Sequence, residues 1–395
     1  MRKTAIVSCY FIHNYGSMLQ AYATQRVLDK LDVENETVNV TGFLKDLRRS
    51  QYLYILKSGI TSDIFRTRLG KAKNLLEKRF LSNEYTKSIK YRDLKFDEFK
   101  QKYIRLSDVY SSIDSLSKKC EEKYEAVLIG SDQLWLPANI AANYYTLNFV
   151  PDSVNSIAYA TSFGVSSLPG DTVEMVRKFM PRIKNVSVRE QSGQALIEQI
   201  TGRKVPVVCD PTLLLTGDEW LEVQEQSSVE KEPYIFCYFI GKTAAHREFV
   251  KRLRMETKLK VVALTHIDHY VKCDEGYADV TPYNVGPMDF VNLIKNATHI
   301  CTDSFHCSVF SILYSKNFYV FRRYTQLTKQ STNSRLDTLF DLLNIKGRIL
   351  NGDEDANACL CTYIDYEKVH SLLDALREYS YSYLKKALWN NSNLM

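Results

Sequence analysis

The feature that most constrains this chain is an alternation of short apolar runs with amphipathic stretches, which stops once and then restarts. Strands are expected at Thr4–Ser8, Glu36–Val40, Ala126–Ile129, Ser156–Thr161, Val186–Val188 and Val205–Cys209. Between them, helical spacing covers Met18–Leu31, Thr172–Arg182 and Glu190–Ile200, with Ser17 placed to cap the first helix. This succession builds parallel sheets with helices packed on their faces. Leu215–Pro233, rich in Gly, Asp, Glu, Gln and Ser, interrupts the pattern. The alternation then resumes: strand Tyr234–Ile240, helix Ala244–Thr257, strand Val261–Thr265, helix Met288–Asn296, strand His299–Thr302, a short helix from Ser308, and strand Phe318–Phe321. A last helix is expected from Tyr366 to Leu388. The fold class is therefore α/β, with two Rossmann-like domains, 1–215 and 216–395. A charged helical insertion at about 45–122 sits in the first, and a closing helix ends the second. Each half of 395 residues is long enough to bury its own core.

Charge is uneven along the chain. The whole carries 52 Lys+Arg against 46 Asp+Glu, a mild +6 that does not indicate a nucleic-acid partner. Residues 45–105 alone hold 17 basic and 7 acidic side chains, so the remainder, 35 against 39, is slightly acidic. That segment reads either as a solvated helical face or as a patch meeting anionic lipid headgroups or a polyphosphate carrier. Nine cysteines, mostly inside apolar runs, read as reduced thiols acting as small hydrophobes. No apolar run approaches the ~20 residues of a membrane span, and the opening MRKTAIVSCYFIHNYG turns polar too soon for a signal peptide. The expected location is the cytoplasm, with peripheral contact at the inner membrane face through 45–105. No metal is expected: only Cys359 and Cys361 stand close, and His266 and His269 lack an accompanying carboxylate motif.

Neither half has a G-x-G-x-x-G or P-loop run, and there is no G-x-S-x-G elbow. Sites are therefore expected at the carboxyl ends of strands, where open parallel sheets bind ligands. The most informative such place is residues 299–321. A strand leads into the turn Asp303-Ser304-Phe305-His306 and then a helix, aiming backbone N–H groups and a positive helix end at the crevice, a seat for phosphate. His306 at that mouth reads either as a proton-transfer group or as a hydrogen-bonded cap histidine.

The turn Asp303–His306 resembles the D-S-F-H-G turn of the polysaccharide pyruvyl transferase family, with Cys307 where that family usually has Gly. Six further segments resemble the family in its order. They are Asn14–Ala21 (NYGSMLQA), Tyr124–Trp135 (YEAVLIGSDQLW), Ala158–Gly164 (AYATSFG), Ser187–Glu190, Asp210-Pro211-Thr212 and Asn333-Ser334-Arg335. The resemblance implies two Rossmann-like domains facing a cleft, a GT-B-like arrangement similar to that of many nucleotide-sugar glycosyltransferases. It also implies phosphoenolpyruvate as co-substrate, no further cofactor, and a pyruvate ketal on a sugar of a bacterial surface polysaccharide or its lipid-linked precursor.

For that reaction, Arg189 and Arg335 are the candidates for the anionic donor, because a guanidinium fork matches carboxylate and phosphate. Arg189 also reads as an ion pair with Glu190. Ser304, Phe305 and the turn's N–H groups complete the donor seat, and His306 is the candidate acid/base with Asp303 orienting it or capping the helix. Asn14, Ser17, Ser131, Asp132 and Gln133 are the candidates for acceptor hydroxyls, while Trp135 reads as a sugar platform or as core. His13 and Lys329 are lesser candidates, and Asp210 is expected to shape the turn before Pro211. The alternative function is a nucleotide-sugar-dependent glycosyltransferase of the same architecture; a non-enzymatic polysaccharide-binding subunit finds support only in Cys307.

Overall fold

The computed structural model describes residues 3–58, 83–222, 232–266, 270–323 and 334–389. The first sheet is formed by β1 (Lys3–Val7), β2 (Asn35–Asn39), β3 (Leu106–Val109), β4 (Tyr124–Ile129), β5 (Asn155–Thr161) and β6 (Asn185–Val188), in the order β3-β2-β1-β4-β5-β6. The second contains β7 (Tyr234–Tyr238), β8 (Lys260–Leu264), β9 (His299–Thr302), β10 (Asn317–Phe321) and β11 (Ile349–Leu350), in the order β11-β10-β9-β7-β8. Every pairing between these strands is parallel. Helices cover them, so central strands such as β5 are buried along their whole length and read as continuous apolar runs.

Several local expectations change. The first helix, Tyr15–Lys30, is capped by Asn14, whose extended backbone lets its Oδ1 accept the Ser17 N–H at 3.2 Å. Ser17 is already inside the first turn. The stretch 45–122 is not wholly an insertion, because β3 lies within it as the edge strand of the first sheet. Val205–Cys209 makes one bridge, Val207 to Val188, rather than a full strand. The helix expected from Ser308 begins at Phe305.

The two sheets share a core. Residues of the first helix and of β4 belong to the same apolar cluster as Phe290, Phe310 and Leu313 of the second half. Tyr15 stacks on Phe290 at 4.5 Å, and its hydroxyl donates to Val285 O. The last helix, Tyr366–Trp389, returns to the first sheet: Asn155 Nδ2 donates to Ala387 O at 2.7 Å, and Arg377 Nε donates to Leu213 O at 2.6 Å. These contacts hold both sheets against the cleft between them.

Candidate active site

In an open parallel sheet the crevice forms where strand order reverses. In the first sheet that point lies between β1 and β4, and in the second between β7 and β9. The loops leaving these four strands carry Asn14 and Ser17, Asp132, Ile240 and Gly241, and Asp303–His306 respectively. The two switch points meet at Gly16. A Cβ on Gly16 would stand 2.0 Å from His306 Nδ1, so the imidazole lies directly on the bare backbone of the first helix.

Asp210 organises the other side of His306. One carboxylate oxygen, Oδ2, accepts from Arg189 Nη1 at 2.8 Å and from Ser131 Oγ at 2.7 Å, and stands 3.7 Å from His306 Nε2. Its Oδ1 accepts from Thr212 N–H and Oγ1. Burial alone would raise this carboxyl's pKa. The His306 ring, Arg189 and Thr212 outweigh it and hold Asp210 well below the ordinary carboxylate range. Arg189 itself is 3% exposed. Its guanidinium lies 4.5 Å from the Phe305 ring centroid, with Arg335 at 5.8 Å from the same ring, contacts worth ~1–2 kcal/mol when desolvated. Arg189 Nε and Nη2, and His306 Nε2, are buried without a hydrogen bond among the described residues.

Asp132 is the second carboxylate. Ser17 Oγ donates to its Oδ2 at 2.7 Å, and Arg189 Nη2 stands 3.9 Å from Oδ1. Burial raises its pKa, but Arg189, His306, Ser17 and Arg335 together bring it below the ordinary value. Its φ of 84° lies in the left-handed region that favours glycine. A bridge to Thr161 and the N–H groups of Leu134 and Ser162, both donating to Asp132 O, hold this strained backbone in place. Glu190, fully buried, accepts from Ser162 Oγ at 2.8 Å; burial raises its pKa, partly offset by Arg189. The Arg189–Glu190 pairing is long, 3.9 Å, beside the 2.8 Å contact to Asp210. Burial, then the charges of Arg189 and Arg323, lower Arg335 to about 9.

The structure therefore brings together Arg189, Arg335, Phe305, His306, Ser17 and Asp132, sets Asn14 and Gln133 in a cavity that Ser17 and Asp132 also line, and gives Asp303, Ser131, Ser304 and Trp135 other parts. Asp303 does not orient His306: its carboxylate accepts the N–H groups of Ile240 and Gly241, both at 2.7 Å. Ser131 is fully buried and directed at Asp210 and Ala160 O, so it positions Asp210 and does not face an acceptor. Ser304 caps its helix by accepting the Cys307 N–H. Trp135 is core, packed on Phe163 and Phe179. Asn14 borders two cavities, one of which also contains Gln133. Cys307 sits in the helix Phe305–Leu313, fully buried, at none of the positive-φ positions, and fills core. His13 pairs with Asp93, His266 with Asp274, while His269, Lys329 and Asn333 lie outside the described residues. Asp210 and Gly16 are the site residues whose roles the sequence did not reveal. Among the described residues, no group of three or more His, Cys, Asp or Glu side chains is arranged to hold a metal, and no helix is long and apolar enough to cross a membrane.

Paired cations over an aromatic ring thus stand beside an imidazole and two carboxylates in a crevice between parallel sheets. The polysaccharide pyruvyl transferase family model matches residues 14–323, and the chain belongs to that enzyme family. No curated protein sequence matches the chain. Among solved structures it is similar to a UDP-GlcNAc 2-epimerase from Neisseria meningitidis, at 10% identity and a TM-score of 0.47, covering 96% of this chain and 99% of that one. It is also similar to a glycosyltransferase from Rickettsia africae ESF-5, at 13% identity and a TM-score of 0.49, covering 99% and 97%. A third is the glycosyltransferase SnogD from Streptomyces nogalater, at 11% identity and a TM-score of 0.43, covering 97% and 95%.

Proposed function

We propose that this chain transfers the pyruvyl group of phosphoenolpyruvate to two hydroxyls of a sugar, releasing phosphate and leaving a cyclic ketal. The observation that carries this reading is the pair of buried guanidiniums, Arg189 and Arg335, on Phe305, with Arg189 Nε and Nη2 making no hydrogen bond among the described residues. Buried cations held this close disfavour one another, and an anion with several oxygens relieves them. Phosphoenolpyruvate presents a carboxylate and a phosphate on one small frame.

In the proposed sequence, His306 in its imidazolium form donates a proton to the methylene carbon. The adjacent carbon becomes oxocarbenium-like, and one sugar hydroxyl attacks it. Neutral His306 takes that hydroxyl's proton and is restored. Phosphate then leaves, taking the proton of the second hydroxyl as that oxygen closes the ketal. Asp210 steadies the imidazolium, and Asp132 accepts a hydrogen bond from the incoming hydroxyl. Membership of the family favours this over nucleotide-sugar transfer. A thermal-shift series tests it: stabilisation by phosphoenolpyruvate and none by UDP- or GDP-sugars is expected, and the reverse would favour the glycosyltransferase alternative.

The acceptor, on this reading, is lipid-linked and met at a membrane surface. The helix Leu44–Lys57 presents Tyr52, Leu53 and Leu56 to solvent beside Lys45, Arg49 and Lys57, an apolar and basic face suited to anionic headgroups.

A further inference from the structure

Beside Asp132 lies a cavity of about 340 Å³ whose far wall is the helix Leu44–Lys57. The volume falls in the range of small-ligand pockets, at the size of a single sugar unit. Its buried end holds Ser17 and Asp132, the side from which a hydroxyl would meet the reacting carbon. A row of amides runs from there along one wall. Gln51 Nε2 donates to Asn139 Oδ1 at 2.9 Å, Asn139 Nδ2 donates to Gln133 O at 3.1 Å, and Gln133 Nε2 is buried without a hydrogen bond among the described residues. Phe11 and Tyr145 supply apolar and aromatic surface in the same cavity. Amides toward hydroxyls and aromatics toward a ring are what a pyranose requires.

The exposed end carries one charged group, Arg48. It lines the cavity, is solvent-exposed, and has no acidic partner within 4.0 Å among the described residues. The cavity is thus anionic at its buried end and cationic at its mouth. A sugar bearing a negative group enters with only one favourable orientation, the charge at Arg48 and the hydroxyls at Asp132.

We infer that this cavity is the acceptor subsite for one sugar unit, and that Arg48 reads an anionic group on that unit, either a phosphate ester or a ring carboxylate. The inference rests on the pyruvyl-transfer reading. It assigns the helix Leu44–Lys57 a part in choosing the acceptor as well as in meeting lipid.

The test compares wild type, Arg48→Ala and Gln51→Ala with phosphoenolpyruvate and matched acceptors of the gluco, galacto and manno series. Each sugar is offered as methyl glycoside, as 1-phosphate and as hexuronate. Wild type is expected to favour one charged form over the methyl glycoside in kcat/KM by about tenfold. The preferred form separates phosphate from carboxylate. Arg48→Ala should bring that ratio to about one, whereas Gln51→Ala should raise the KM of every acceptor and keep the ratio. No charged preference in wild type, or an unchanged ratio in Arg48→Ala, overturns the inference. If wild type modifies none of these acceptors, saturation-transfer NMR with the 1-phosphates and hexuronates decides. A signal lost in Arg48→Ala supports the subsite, and an equal signal in both proteins, or none in either, overturns it. The thermal shift with phosphoenolpyruvate alone is read separately, so failure of the donor reading is distinguished from failure of the subsite.

Discussion

Replacing Arg335 with methionine separates binding of the donor from stability of the fold, because the two should move in opposite directions. Arg335 is 8% exposed, and burial followed by the charges of Arg189 and Arg323 lowers its pKa from the ordinary arginine range to about 9. A cation whose pKa is depressed by folding contributes unfavourably at neutral pH; that contribution is full below about pH 9 and fades as pH rises from there toward the ordinary arginine range. At neutral pH the buried charge therefore opposes folding. Methionine keeps most of the stem's volume, removes the charge and loses the contact with Phe305. Asp132 and Glu190, whose charges favour that of Arg335, each keep Arg189 at 3.9 Å, so the substitution strands neither carboxylate and relieves the burial of one cation. The melting temperature of the ligand-free variant should therefore hold or rise by a few degrees. Phosphoenolpyruvate loses one charge-assisted partner of about 2–3 kcal/mol, which lowers its affinity by about 30- to 150-fold. Scanning fluorimetry and titration calorimetry at pH 7.5 read both. A variant that melts well below wild type while binding the donor normally would show Arg335 to be a structural ion-pair partner and not a donor contact.

Other outcomes follow from the same geometry. Gly16→Ala drives a methyl into His306 Nδ1, so kcat should fall about 100-fold with donor affinity kept; a wild-type kcat would show that the imidazole position does not matter. His306→Ala should still bind phosphoenolpyruvate and release no phosphate from it, and full turnover would remove His306 from the mechanism. Asp210→Asn leaves Arg189 buried without its closest carboxylate and should destabilise by ~3–5 kcal/mol. Because folding lowers the Asp210 pKa, its stabilisation is complete above about pH 4 and is lost as pH falls further toward the folded value, so the variant should show a shallower acid unfolding profile than wild type. Charge reversal at Lys45, Arg49 and Lys57 should abolish flotation with anionic vesicles, and wild-type binding should weaken with salt; salt-independent binding would contradict the electrostatic reading.

Much of the architecture was readable because buried parallel strands and the helices between them have distinct periods. Helix Ala244–Thr257 and strand His299–Thr302 fall at the residues expected from pattern alone. β3 was hidden because an edge strand, Leu106–Val109, is half exposed and polar and lies in the most charged part of the chain. β11 is two residues long, too short for any period to register. At the site, Arg189, Asp132 and His306 were found because each stands at the end of a strand or the start of a helix, where parallel sheets present chemistry. Asp210 caps the turn at Thr212 as expected, but it also takes the place beside His306 expected of Asp303, for a reason local sequence does not contain. Asp303 is near His306 in the chain but is taken up by the N–H groups of the β7 loop, whereas Asp210 comes from the far side of the other sheet. Nothing about Gly16 in isolation says that an imidazole 290 positions later rests on its α-carbon.

The central claim is tested most directly by mass spectrometry of a reaction containing the protein, phosphoenolpyruvate and galactose-, glucose- and mannose-type acceptors, with released phosphate measured alongside. An acceptor whose mass rises by pyruvate less water is expected, with one phosphate released for each product formed. Stabilisation by nucleotide sugars and transfer of a glycosyl group, with phosphoenolpyruvate left intact, would contradict it.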